Sequence, residues 1–305
     1  MAKQPRTLAG RVIAITGGAR GIGRATAAAL VREGAIVALG DLDEPLAAQA
    51  AEELGPNAAA FALDVTDRAS FAAFLTAVED RFGVLDALVN NAGIMPLGPF
   101  VEEDDVTARR LIDINVHGVL LGMKLALPRF VARGEGHLIN IASAAGKAPY
   151  PGGATYCGTK YFVVGVSETV RGELRGTGVD LSVVMPVVVE TELATGVGTA
   201  RGIPKIRPDD VAAAIVETLR RPRFDVHVPK AIGPLTALTQ VLPRRVRELT
   251  MRAIGADRVL WVDPDRRRGY ELRAARSEPG LGGGPKAAEP GPSSHERQVV
   301  GRSAS

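Results

Sequence analysis

Val12, Ile13, Ala14, Ile15 and Thr16 form a short apolar run that passes directly into Gly17, Gly18, Ala19, Arg20, Gly21, Ile22 and Gly23, after which a helical pattern begins. Consecutive apolar residues over so few positions read as a strand buried on both faces, and such strands belong to parallel sheets covered by helices. The glycine turn after it exposes backbone N–H groups and a helix N-terminus, which together attract an anion. Side chains would block that approach, so Gly17, Gly21 and Gly23 are candidate ligand-facing positions, with Arg20 and Ile22 beside them. Their spacing is G-x-x-x-G-x-G, not the G-x-G-x-x-G of the standard dinucleotide fingerprint. A Gly-rich turn with no ligand is the plain alternative, and the strand-to-helix setting argues against it.

The rest of the chain repeats the alternation. Strands are expected at 36–41, 60–63, 87–89, 137–142, 179–185 and 225–228, after the first at 12–16. Helices are expected at 24–33, 46–54, 70–82, 105–130 with an interruption near Pro128, 156–174 and 208–220. Strands alternating with helices predict an α/β fold, a single parallel sheet of about seven strands with helices on both faces. After about Pro234 the pattern changes. Residues 235–254 read as one basic amphipathic helix, with Leu235, Leu238, Val241, Leu242, Val246 and Leu249 at helical spacing and Arg244, Arg245, Arg247 and Arg252 between them. The division expected is 1–233 for the main domain, 234–273 for a helical extension and 274–305 for a disordered tail rich in Gly, Pro, Ser and charge.

Charge follows the same division. The net charge is +3. Residues 242–276 hold ten Arg and five acids, a local +5, and residues 277–305 hold three bases and three acids. The first 241 residues therefore sum to −2, so the main domain is near neutral and nucleic acid is not an expected partner. The single cysteine, Cys157, excludes an intrachain disulfide and suits a cytoplasmic setting. The four histidines are scattered, so no metal site is expected. No apolar leader and no run of 18 apolar residues stands in the sequence.

Two further groupings carry chemistry. Tyr156 and Lys160, at i and i+4, share one helix face, where an ammonium lowers the pKa of a phenol. Ser143 lies thirteen residues earlier, at the end of a strand, where its hydroxyl can bind the same oxygen that the phenol serves. Singly, each has a plain reading: a surface aromatic, a solvated lysine, a loop cap. Asp41 ends the second strand, eighteen residues after Gly23. A carboxylate there accepts hydrogen bonds from adenosine ribose hydroxyls and repels a 2′-phosphate, which favours NAD over NADP. Arg20 would soften that repulsion, and Asp43 is a competing carboxylate two residues on.

Together these residues resemble the short-chain dehydrogenase/reductase family, over about residues 9–230. The loop from Thr16 to Gly23 looks like the family's T-G-x-x-x-G-I-G, Asn90, Asn91, Ala92 and Gly93 like its N-N-A-G, and Tyr156 with Lys160 like its Y-x-x-x-K. The resemblance implies a Rossmann-type doubly wound sheet and a nicotinamide cofactor. It implies that Asp64 and Val65 contact adenine, that Asn91, Ala92 and Gly93 lie against the cofactor, and that Pro186, Val189 and Thr191 border the nicotinamide. It places Asn115, Ser143, Tyr156 and Lys160 as the catalytic group. Tyr156 would be the general acid/base, Lys160 its cation and a ribose ligand, Ser143 the substrate-oxygen partner, and Asn115 part of a proton route to Lys160. The family's usual glycine after Pro186 is Val187 here, and Val tolerates positive φ badly, so residues 186–189 are expected to run differently.

The activity implied is that of an NAD(P)-dependent oxidoreductase interconverting a hydrophobic secondary alcohol and its ketone or aldehyde. The expected pocket walls are Ile94, Met95, Pro96, Ala144, Ala145, Gly146, Tyr150 and residues 187–197, mostly apolar and without a charged cluster. A non-catalytic NAD-binding regulatory protein on the same fold is the competing reading, and the presence of all four catalytic residue types argues against it. An epimerase or dehydratase would need a different glycine spacing and a larger C-terminal domain. The resemblance implies a homo-dimer or homo-tetramer. Residues 235–254 can pack on the enzyme, cover the pocket, sit at a subunit interface or lie on a membrane, and packing or a subunit interface is favoured over peripheral contact with a membrane.

Overall fold

The structure is a computed structural model that describes residues 4–198, 205–253, 255 and 264–276. Seven strands form one sheet: β1 (Val12–Thr16), β2 (Ile36–Asp41), β3 (Ala58–Ala62), β4 (Leu85–Asn90), β5 (Gly136–Ile141), β6 (Val179–Pro186) and β7 (Asp225–Val228). Their order is β3-β2-β1-β4-β5-β6-β7, and every pairing is parallel. The helices are α1 (Gly21–Arg32), α2 (Glu44–Leu54), α3 (Arg68–Phe82), α4 (Asp105–Ile112), α5 (Gly118–Arg133), α6 (Ala154–Glu173), α7 (Pro208–Arg220), α8 (Ile232–Val241), α9 (Arg244–Ala253) and α10 (Pro264–Arg276).

β1 is buried along its whole length because it has a helical layer on each side. Ile13 and Ile15 join Leu30 of α1, Ala47 of α2 and Ile215 of α7 in one apolar cluster. Val12 and Ala14 join Phe71 and Phe74 of α3, Met123 and Phe130 of α5 and Val163 of α6 in the other. That alternation is the period of two of a strand, and it explains why the first strand lacks a polar face. Strand order reverses between β1 and β4, so the crevice at their carboxyl ends is the place where such a sheet binds ligands.

Two helical expectations need correction. Residues 105–133 are helical throughout, and Pro128 does not interrupt them. Pro128 lies on the exposed side, where a carbonyl left without its helical partner meets solvent. The irregularity comes earlier, as a π-turn at Asp113–His117 between α4 and α5. This 29-residue run, with a mean hydropathy of 1.3 in its most apolar part, is long and apolar enough by itself to cross a bilayer. Here Met123, Ala126 and Phe130 bury its apolar side against the sheet.

The second correction concerns 235–254, which is two helices, not one. The break falls at Pro243: Leu242 before it is extended, at φ −72° and ψ 142°, because a residue preceding proline is pushed out of the helical region. Many apolar residues of α8 and α9 remain on the outside, among them Leu238 at 59% exposure and Leu249 at 68%. The tail expected to be disordered lies outside the described residues from 277 on, whereas 274–276 complete α10.

Candidate active site

The glycine loop is shaped by what lies under it. Gly17 has a φ of +66°, and a Cβ there would sit 2.9 Å from Ala92 Cα. Gly23 packs below the loop, where a Cβ would come within 2.2 Å of the Gly17 carbonyl oxygen. Asn91 ties the loop to β4: its Nδ2 donates to the carbonyls of Thr16 (2.8 Å) and Gly17 (3.0 Å). Thr16 Oγ1 in return accepts from the N–H groups of Asn91 and Ala92, both at 3.0 Å. Arg20 is the N-cap of α1 but offers no side-chain cap, and no acidic residue lies in the first turn. The first N–H groups of α1 therefore have no internal partner, which suits a pyrophosphate.

Asp41 stands at the end of β2, its carboxylate accepting from Ala19 N–H at 2.9 Å and Asp43 N–H at 3.1 Å. Asp43, the competing carboxylate, is the N-cap of α2 and accepts from Leu46 N–H. Arg20 bonds Asp43, and its second nitrogen lies 3.4 Å from Glu192. Its positive charge is thus already answered by two carboxylates.

Ser143, Tyr156 and Lys160 meet beneath the carboxyl ends of β5 and β6. Ser143, extended at φ −168°, accepts from Ala145 N–H at 3.1 Å and lies 3.5 Å from the Pro186 carbonyl. Tyr156 is 7% exposed and Lys160 6%. Lys160 Nζ donates to the Ile141 carbonyl at 3.0 Å and lies 5.7 Å from the centre of the Tyr156 ring. Burial pushes the Tyr156 phenol well above its ordinary range, and a hydrogen bond from Ser143 opposes that shift. Burial lowers Lys160 to about 8. Cys157, next in sequence to Tyr156, is buried, and burial raises its thiol.

Asn115 is fully buried in the π-turn. Its Oδ1 accepts from Ile94 N–H and its Nδ2 donates to the Ile94 carbonyl, both at 2.9 Å, with Thr159 Oγ1 at 3.2 Å. A Cβ on Gly93 would lie 3.2 Å from Asn115 Oδ1 and 3.7 Å from Lys160 Nζ, so the two side chains flank Gly93. The extra residue of the π-turn accompanies this inward placement, and such bulges recur at functional sites.

One cavity of about 860 Å³ takes in Gly17, Arg20, Gly21, Ile22, Asp41, Asp64, Val65, Asn91, Ala92, Gly93, Ser143, Tyr156, Lys160, Pro186, Val189 and Thr191. Gly23 and Asn115 lie behind its wall and shape it from there. Ile94, Met95, Ala144, Ala145 and Tyr150 line it as expected, while Pro96 and Gly146 do not. The segment after Pro186 raises no conflict: no described residue other than glycine has positive φ, and Val187 N–H continues the sheet by donating to the Val228 carbonyl at 3.0 Å. The helices after β7 add further wall residues, those of α10 unexpected. Leu235 and Thr236 come from α8, Thr250 from α9, and Tyr270 and Ala274 from α10. The amphipathic pattern of 235–254 was the signal for the residues of α8 and α9, and Tyr270 and Ala274 had none that was read.

A sequence model described as short chain dehydrogenase matches residues 11–202. A sorbitol dehydrogenase of Cereibacter sphaeroides is 42% identical over 191 residues, spanning 62% of this chain and 75% of the relative. A 2-(S)-hydroxypropyl-CoM dehydrogenase of Xanthobacter autotrophicus is 37% identical over 230 residues, spanning 68% and 89%. Among solved structures, a short chain dehydrogenase/reductase from Burkholderia phymatum in complex with NAD superposes with a TM-score of 0.71 at 27% identity, covering 77% of this chain and 94% of that one.

Proposed function

The chain belongs to the short-chain dehydrogenase/reductase family, oxidoreductases that act on CH–OH groups with a nicotinamide cofactor, and from that premise we propose that it interconverts a hydrophobic secondary alcohol and its ketone or aldehyde with NAD. The observation that carries the reading is the convergence of Ser143, Tyr156 and Lys160 at the floor of a cavity whose substrate end is walled by Ile94, Met95, Ala145, Leu193 and Val197.

The glycine turn and the uncapped start of α1 would hold the cofactor pyrophosphate, and Asp41 the adenosine ribose. When bound, the nicotinamide supplies or takes the hydride, chemistry that no side chain provides. Tyr156 takes the alcohol proton in oxidation and returns it to the carbonyl oxygen in reduction. Its phenolate is costly in this buried setting, so the Lys160 ammonium and the Ser143 hydroxyl are the groups that make it accessible. Ser143 also holds the substrate oxygen as charge develops on it. Asn115 holds both polar groups of the Ile94 backbone, and its oxygen and the Lys160 ammonium flank Gly93, which supports the proton route to Lys160 that the resemblance implies.

NAD is favoured over NADP because a 2′-phosphate would meet the Asp41 carboxylate, and Arg20 is committed to Asp43 and Glu192. Relatives named for sorbitol and for 2-(S)-hydroxypropyl-CoM support an alcohol as the reacting group. The apolar walls support a hydrophobic remainder. We also propose a homo-dimer or homo-tetramer as the working unit, since α6 and the α8–α9 pair carry exposed Tyr161, Phe162, Leu238 and Leu249.

The test is absorbance at the reduced-nicotinamide band, with NAD or NADP and a panel of apolar secondary alcohols. Wild type is expected to reduce NAD. Tyr156→Phe is expected to lose about a thousandfold in kcat while binding NADH as before. Equal turnover by the Phe variant would remove Tyr156 from its role. NAD binding without turnover of any alcohol would favour a regulatory protein.

A further inference from the structure

α10 is made mostly of charged residues, yet it carries a guanidinium that is almost wholly buried. Arg267 is 1% exposed. Its Nη1 donates to the carbonyls of Leu193 and Thr195, both at 3.1 Å, its Nη2 to the carbonyl of Met95, and its Nε to Glu271 at 2.8 Å. Four of its five N–H donors are therefore engaged. Tyr270, one helical turn on, stacks its ring 4.7 Å from the same guanidinium and accepts from Met95 N–H at 2.7 Å. Both backbone polar groups of Met95 are thus held by α10.

The two anchored segments come from different places in the sheet. Met95 lies in the segment after β4, whereas Leu193 and Thr195 lie at the short turn after β6. Both segments border the cavity, as do Tyr270 and Ala274 themselves. Taking a guanidinium out of water costs several kcal/mol unless carbonyls and a carboxylate replace the solvent. An arginine placed there at that cost, bonding two separate loops, does more than fill space.

We propose that α10 is a fixed wall of the substrate pocket, latched by Arg267 as a positioning residue, and that Tyr270 determines which alcohols fit by limiting their bulk. The proposal rests on the reading of this cavity as an alcohol site. It assigns specificity to a segment beyond residue 202, where the family match ends.

The experiment uses the full-length chain with Tyr270→Ala, Tyr270→Phe and Arg267→Lys. Three quantities are read: NADH affinity by fluorescence titration, kcat and KM across secondary alcohols of increasing size, and amide hydrogen exchange in residues 93–97 and 192–197. Tyr270→Ala is expected to raise kcat/KM for the bulkiest alcohol relative to the smallest by about tenfold, with NADH affinity unchanged. Tyr270→Phe keeps the ring and is expected to keep the size preference. Arg267→Lys keeps the charge but not the fork, and is expected to speed exchange in both loops and raise KM more than it lowers kcat. An unchanged size preference in Tyr270→Ala, with turnover intact, would overturn the wall. Unchanged exchange in Arg267→Lys would overturn the latch. If wild type binds NADH but turns over no alcohol, the alcohol reading fails by itself, and the exchange result still decides the latch.

Discussion

At the scale of single residues, position relative to neighbours decides what each ionisable group can do. Asp41 and Asp43 are two residues apart and chemically alike, but Asp43 caps α2 and pairs with Arg20, whereas Asp41 is fixed by two backbone N–H groups at the mouth of the crevice. Both line the cavity, and on the proposed reading Asp41 is the carboxylate that meets the adenosine ribose. Asp41→Asn, which keeps an acceptor but removes the charge, is expected to narrow the preference for NAD over NADP by about tenfold, one charged hydrogen bond's worth. Steady-state kinetics with both cofactors checks this, and an unchanged ratio would show that discrimination lies elsewhere. Arg267 makes the same point in reverse. In the sequence it is the middle of three consecutive arginines, and in the fold it is among the most buried side chains.

At the scale of elements, the β5–β6 pair contains a pH-sensitive contact far from the chemistry. His137 Nε2 lies 2.8 Å from Ser182 Oγ, and that hydroxyl donates its own proton to the Arg223 carbonyl. Ser182 must then accept from Nε2–H, which leaves Nδ1 as a buried acceptor without a partner. Protonating Nδ1 would bury a charge, and burial lowers the His137 pKa to about 4, with nearby Asp180 and Arg6 acting in opposite senses. Because the folded value lies below the ordinary 6.5, the unfolded chain binds the proton more readily between those limits. The contribution is therefore complete above about 6.5 and is lost as pH falls toward 4. By pH 5 the loss amounts to about 2 kcal/mol. Urea unfolding at pH 7 and pH 5 is expected to reveal this loss in wild type and a smaller one in His137→Gln, with equal losses refuting the assignment. Element boundaries teach a related lesson. The π-turn at Asp113–His117 has no signature in composition, since it accompanies partners that Asn115 finds in Ile94 and Thr159. The break between α8 and α9, by contrast, has a local cause in Pro243, which the reading of 235–254 as one helix passed over.

At the scale of the whole molecule, the helices after β7 join the wall of the crevice on one side and leave Leu238, Val241 and Leu249 outside on the other. Isolated exposed leucines are ordinary, but a run of them beside Arg244, Arg245 and Arg247 calls for a covering surface. The proposed homo-oligomer supplies one. Light scattering after size exclusion is expected to give a dimer or tetramer for wild type, and a smaller species for the double change Leu238→Glu and Leu249→Glu if α8 and α9 take part. Unchanged assembly would place the interface elsewhere, and loss of co-sedimentation with anionic vesicles in that variant would point to a lipid surface instead.

The local features were readable because each depends on a few neighbouring residues. Apolar runs specify buried strands, glycines permit the turn after β1, and a Tyr and Lys four apart share one face of α6 wherever that helix lies. The family and the doubly wound sheet followed from the order of those local signals along the chain. Three things depended on contacts between distant segments and were decided only by the tertiary structure: the commitment of Arg20 to Asp43 and Glu192, the burial of Asn115, and the arrival of Arg267 and Tyr270 at Met95, more than 170 residues away in sequence. Nothing in the spacing of a sequence records which carbonyls a guanidinium will find once the chain has closed.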